Sequence, residues 1–160
     1  GRGQYSSVWH MTEKGEWKFL ADMGTLYTDQ RNLPFTVAEM DLSKINTEIF
    51  SMDDVIAIDT KLNQQIFEKG AIALNDYLTV QSWFNINGKV PAFGPHAIAS
   101  SMLEFPTKIS LEYRNGTIAS SKDLAYTHGT LSNNNKTFPY MRVWTKQKTG
   151  WVLLLHVISW

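Results

Sequence analysis

The chain has 160 residues, the length of one ordinary domain, and a chain of this size buries roughly 68–70% of the surface its unfolded form exposes. Fifteen basic residues balance fifteen acidic ones, 43% of residues are hydrophobic and 19% are charged, which excludes disordered, collagen-like and coiled-coil chains and argues against a nucleic-acid partner. There is no cysteine, so disulfides, thiolate metal sites and cysteine nucleophiles are excluded together.

Residues 5–24 read as a β-hairpin: a Val8-Trp9 strand, a polar turn reaching Gly15, and a second strand opened by Trp17. Residues 26–50 keep no steady period, and Asp29-Gln-Arg-Asn-Leu-Pro34 marks a turn, so this stretch is read as a connector. Ser51 is placed as the N-cap of a helix that carries Asp53 and Asp54 in its first turn. Its apolar stripe is Val55, Ile58, Leu62 and Ile66, and Gly70 ends it. A second short helix, 71–78, leads to a strand at 80–86 and a turn at Asn87-Gly88. Pro95 opens a third helix that Pro106 closes. Alternation then predicts strands at 108–114 and 118–131, joined by a turn at Asn115-Gly116, and a closing hairpin from Pro139 to Ser159.

The closing hairpin repeats the first. Tyr140-x-x-Val143-Trp144 leads to Gly150-Trp151, as Tyr5-x-x-Val8-Trp9 leads to Gly15 and Trp17. Helices gathered ahead of a run of long strands predict an α+β fold with the helices on one face of a curved sheet. No run reaches the roughly 18 apolar residues of a membrane span, and no signal-peptide pattern opens the sequence. The expectation is a soluble chain, cytoplasmic or exported after removal of a signal.

With three local strings, this order resembles the nuclear transport factor 2-like superfamily, in particular SnoaL-like and ketosteroid isomerase-like bacterial domains of unknown function. The strings are Gly94-Pro-His-Ala-Ile98, Asp123-Leu-Ala-Tyr-Thr-His-Gly129, and Val143-Trp144 with Gly150-Trp151. The resemblance spans roughly residues 50–160. It implies a cystatin-like cone: a strongly bent antiparallel sheet packed on about three N-terminal helices, with an apolar ligand pocket at the open end and dimerisation through the sheet. Residues 1–25 are then similar to the end of a preceding copy of such a domain, and residues 51–160 form the domain proper. A hairpin native to a single domain is the alternative. In either case Trp9, Trp17 and Phe19 need a surface, since an isolated hairpin is marginal in water. The convex face of the sheet or a second chain is expected to provide it.

Aligning the hairpins on their second tryptophan places Asp22 and His156 at one position, where the resemblance implies an acid. Alternation groups His156 with Val152 and Leu154, opposite Trp151 and Leu153. Facing a cone, its imidazole could serve as acid or base, while the structural alternative is a hydrogen-bonded core histidine. Asp59 lies on the apolar side of the first long helix, out of pattern for a solvated carboxylate, and is the natural partner. The catalytic candidates are therefore His156 and Asp59, and the ligand-lining candidates are Trp83, Asn85, Tyr126, His128 and Trp144. Four scattered histidines without H-x-H or H-E-x-x-H spacing argue against a metal, and no cofactor motif is present. Two functions follow: a binding or interaction module for a small hydrophobic ligand or a protein, or an isomerase, dehydratase or cyclase working on a carbonyl compound through the His156–Asp59 pair.

Overall fold

The structure is a computed structural model that describes residues 2–28, 48–106 and 108–160. Strands β1 (Arg2–Met11) and β2 (Trp17–Tyr27) form a two-stranded antiparallel ribbon. Most of the expected 26–50 connector lies outside the described residues. Helix α1 (Met52–Lys69) follows, then a 3₁₀ run (Gly70–Tyr77), β3 (Trp83–Ile86), β4 (Ala92–Phe93), α2 (Gly94–Ser101) and a 3₁₀ turn (Met102–Glu104). The chain ends in four long strands, β5 (Ser110–Ile118), β6 (Leu124–Asn133), β7 (Lys136–Gln147) and β8 (Gly150–Ile158).

The six-stranded sheet runs in the order β4-β3-β8-β7-β6-β5. All its pairings are antiparallel except β3 with β8, which are parallel, so the sheet is mixed where a purely antiparallel one was expected. The reason is the connection: β3 is joined to β8 through the rest of the domain and not through a hairpin, so its direction is free. Two α-helices and two 3₁₀ segments stand where three helices were predicted; the 70–78 stretch begins at Gly70 with φ 75°, which breaks α1 and leaves only tighter 3₁₀ turns beyond it.

Helix α1 starts as the residues dictate. The Ser51 hydroxyl accepts from the Asp54 amide, and the Asp54 carboxylate accepts from the Ser51 amide at 2.8 Å, a reciprocal capping box. Ser51→Ala is expected to cost about 1 kcal/mol in chemical denaturation, with a parent-like midpoint counting against the box. The stripe Val55, Ile58, Leu62 and Ile66 is buried against the concave face of the sheet, where it meets Tyr140, Trp144, Leu153 and Ile158.

Asn115-Gly116 is not a turn. The two residues lie inside β5 beside a bulge at Tyr113/Asn115, opposite His128 and Thr127, and the reversal comes later, around Lys122 with φ 60°. A side chain at Gly116 would run into the Tyr126 carbonyl oxygen, so the glycine serves close strand approach and not reversal. The two-residue turn signal is instead Asn134-Asn135, with φ 47° and 62°, closing β6 on β7.

Candidate functional site

The helix period puts Asp59 and Asn63 on the buried face of α1, four residues apart. The strand period turns Tyr140, Arg142 and Trp144 of β7 to the concave face, and Thr127 of β6 joins them. All six are buried, and Asp59, Thr127, Tyr140, Arg142 and Trp144 have 0% exposure. Asp59 Oδ1 accepts from Thr127 Oγ1 at 2.6 Å, Trp144 Nε1 at 3.0 Å and Arg142 Nη1 at 3.1 Å. Its Oδ2 accepts from the Tyr140 hydroxyl at 2.7 Å and Asn63 Nδ2 at 3.4 Å. Asn63 Oδ1 takes a further bond from Arg142 Nη1 at 2.8 Å.

Burial alone would raise the Asp59 pKa, but Arg142 and the Thr127, Tyr140 and Trp144 donors outweigh it and hold the carboxyl below its ordinary value. Tyr140 moves the other way: burial, reinforced by the Asp59 charge, keeps its phenol neutral to strongly alkaline pH despite Arg142. Asp59 is thus a satisfied, ionised acceptor, poorly suited to taking a proton.

One edge of the cluster is buried but unpaired. Arg142 spends Nη1 on Asp59 and Asn63, while its Nε and Nη2 have no hydrogen-bond partner among the described residues. Opposite Arg142 on β8 stands His156, 2% exposed, with neither ring nitrogen bonded among the described residues. Its ring lies against Phe84 at 4.9 Å and edge-on to Tyr140 at 6.1 Å. Burial, and then the Arg142 charge, drive its pKa well below 6.5, so the folded protein holds it neutral.

The unfolded chain binds a proton at His156 near pH 6.5 and the folded chain does not, so the stability contributed above 6.5 is lost progressively as pH falls below it. The expected slope is up to about 1.4 kcal/mol per pH unit, one proton's worth. Denaturation midpoints of His156→Phe between pH 7 and 5 should lack this slope, and an unchanged slope would remove His156 as its source. Asp59 acts in a separate, lower window, its contribution being lost as pH falls below 3.8 through its depressed folded value.

The expected Asp59–His156 pair does not form: the acid is occupied by five donors, and His156 is bonded to none of them. The predicted grouping of His156 with Val152 and Leu154 also fails. A bulge at Leu154 lets Trp144 pair with Leu153 and Val143 with Leu155, which resets the alternation and puts His156 on the face of Leu153.

Of the predicted lining residues, Trp144 alone joins the cluster. Trp83 and Asn85 flank the inward-facing Phe84 and so turn to the opposite face, where Trp83 Nε1 donates to Asn85 Oδ1 at 2.8 Å and Trp83 packs on Phe93. Tyr126 and His128 flank the inward Thr127 and stack on each other outside at 6.1 Å. The sequence reading missed Asn63, Thr127, Tyr140 and Arg142. The signal was available in Tyr140-x-Arg142-x-Trp144, three polar-tipped side chains on one strand face, opposite a helical Asp59-x-x-x-Asn63.

A shallow surface groove of about 370 Å³ lies by the β6–β7 turn, between Phe67, Lys108, Ser132 and Asn135, and none of its lining residues belongs to the buried cluster. Among the described residues no helix is long and apolar enough to cross a membrane.

No protein-family model matches the sequence, and no curated protein matches it. Solved structures do match its fold. A protein of unknown function from Pectobacterium atrosepticum has a TM-score of 0.55 at 18% identity, covering 67% of this chain and 88% of its own. A nuclear transport factor 2-like protein of unknown function from Pseudomonas putida has 0.53 at 11%, covering 67% and 84%. One with a cystatin-like fold from Novosphingobium aromaticivorans has 0.52 at 12%, covering 68% and 80%. The chain therefore has the α+β, cystatin-like fold of nuclear transport factor 2-like proteins.

Proposed function

We propose that this domain is a non-catalytic binding module whose cone takes a small molecule bearing a carboxylate. The observation that carries the reading is the buried Arg142 edge, Nε and Nη2, left without a hydrogen-bond partner among the described residues, next to a His156 likewise unpartnered among them. Buried polar groups are almost always hydrogen-bonded, and an Arg guanidinium edge accepts a planar carboxylate through two parallel bonds. His156, held neutral, offers one further N–H, and Phe84 beside it suits an apolar substituent.

Catalysis has less support. A general base needs a free acceptor, and Asp59 is already saturated by Thr127, Tyr140, Arg142, Trp144 and Asn63. The test is a thermal-shift and calorimetric series of small carboxylic acids against the matching alcohols and amides. Carboxylates should raise the Tm and the neutral analogues should not. His156→Leu should fold and bind about tenfold more weakly, as the loss of one bond to a charged group of about 1.5 kcal/mol requires. A flat response across the carboxylates, with a normal unfolding transition, would make the cluster purely structural.

A further inference from the structure

The ribbon β1–β2 copies β7–β8 pair for pair. Tyr5 faces Gly24 as Tyr140 faces Ile158, Ser7 faces Asp22 as Arg142 faces His156, and Val8 faces Ala21 as Val143 faces Leu155. Trp9 faces Phe19 as Trp144 faces Leu153, and Met11 faces Trp17 as Lys146 faces Trp151. The match includes the bulge, at Leu20 in one and Leu154 in the other. In β7–β8 the face made by Tyr140, Arg142, Trp144, Leu153 and His156 is the inner wall of the cone, fully buried on α1.

The same face of β1–β2 is open. Tyr5 is 69% exposed, Trp9 56%, Trp17 63% and Phe19 53%. The other face of the ribbon is the one that meets the domain: Ser6 Oγ accepts from Asn85 Nδ2 at 3.0 Å and Thr25 is buried, while at the strand end the Leu26 amide donates to Asn87 Oδ1 and the Leu26 carbonyl accepts from the Gly88 amide. The convex sheet therefore holds the ribbon but, among the described residues, nothing covers the aromatic face, so of the two expected surfaces for Trp9, Trp17 and Phe19 the convex sheet is not the one that buries them. A contiguous aromatic face of this kind marks an interaction site.

We infer that this face closes a second cone of the same fold, taking the helix-and-sheet body of a preceding domain copy that lacks its own last hairpin. Two observations select that occupant. The ribbon has the register, the bulge and the aromatic placement that fit such a body in this very domain. Its charge is also reversed: an uncharged Ser7 stands for the Arg142 that binds Asp59, and Asp22, hydrogen-bonded by Ser7 at 3.0 Å, stands for the neutral His156, so this face carries a carboxylate and no guanidinium. The occupant's first helix accordingly presents a cation, not a carboxylate, at the place of Asp59.

The test is a tandem chain in which a second copy of residues 48–137 precedes residue 3 of the full protein, in the register of the native junction. One version carries Asp59→Lys in the added copy; another keeps Asp59 and carries Ser7→Arg and Asp22→His in the ribbon, restoring this domain's own pairing. Ordering of the added copy, with Trp9 and Trp17 losing their accessibility to acrylamide and their emission shifting to the blue, is expected. Quenching as in the single chain in both versions would overturn the inference. So would sedimentation of the single chain as a dimer that Trp9→Ser dissociates, since the occupant would then be a whole second chain.

Discussion

Asp59→Ala is expected to destabilise the domain by about 3–5 kcal/mol, the range for removing one partner of a buried ion pair. The cost is not the loss of a favourable Coulomb term alone. It is chiefly the Arg142 guanidinium left charged at 0% exposure, with Nη1 joining Nε and Nη2 in lacking a charged acceptor among the described residues, and the Thr127 and Tyr140 hydroxyls losing their acceptor beside it while Trp144 keeps only its longer bond to Thr127 at 3.3 Å. A marginally stable domain cannot absorb this, so most of the variant should be unfolded or close to its midpoint at 37 °C. The decisive comparison is the double variant Asp59→Leu/Arg142→Met. Replacing both charges by apolar groups of similar size removes the uncompensated cation, and it should recover most of the loss. Urea denaturation of the parent, Asp59→Leu, Arg142→Met and the double gives the coupling directly. If the double variant is as unstable as Asp59→Ala, the network holds the fold through its hydrogen bonds and not through its charge balance. If Asp59→Ala is parent-like, the pair is not buried in the folded state.

The same cluster shows where sequence reasoning stops. Helix α1 was legible because three signals agree: Ser51 and Asp54 at its cap, the Val55–Ile66 stripe, and Gly70 at its end. Asp59 was legible as an acid on an apolar stripe. Its partner was not, because partnership depends on which strand lies over the helix and in which phase. A one-residue change of phase exchanges the two faces of a strand. The bulge at Leu154 does that to His156, and no local residue announces it. The inward position of Thr127 likewise sends Tyr126 and His128 outward. Asn115-Gly116 has turn composition but β geometry, since a neighbouring backbone needed its missing side chain. The repeat, by contrast, was legible as a string, and it proved to preserve register as well.

Gly129→Ala is the second change with a large expected effect, about 3 kcal/mol or more for overpacking against backbone that cannot yield. An added Cβ would meet the Glu112 carbonyl oxygen of β5 and, at 2.7 Å, the ring of Tyr140. Gly129 pairs directly with Tyr140 across β6–β7, so the bare backbone there is the floor on which the phenol ring lies to reach Asp59 at 2.7 Å. The methyl group must therefore either part β6 from β5 beside the Tyr113 bulge or lift Tyr140 off its acceptor. Tyr140→Phe separates these routes. Alone it removes a hydrogen bond to a charged group, about 1.5–3 kcal/mol. If Gly129→Ala acts by displacing the ring, part of its cost is that same bond, and the double variant Gly129→Ala/Tyr140→Phe should be less destabilised than the two singles added together. Strict additivity would place the damage in the β5–β6 ladder instead. A Gly129→Ala variant as stable as the parent would mean that β6 can move away from both neighbours, and the close approach of Tyr140 to Asp59 would not need a glycine beneath it.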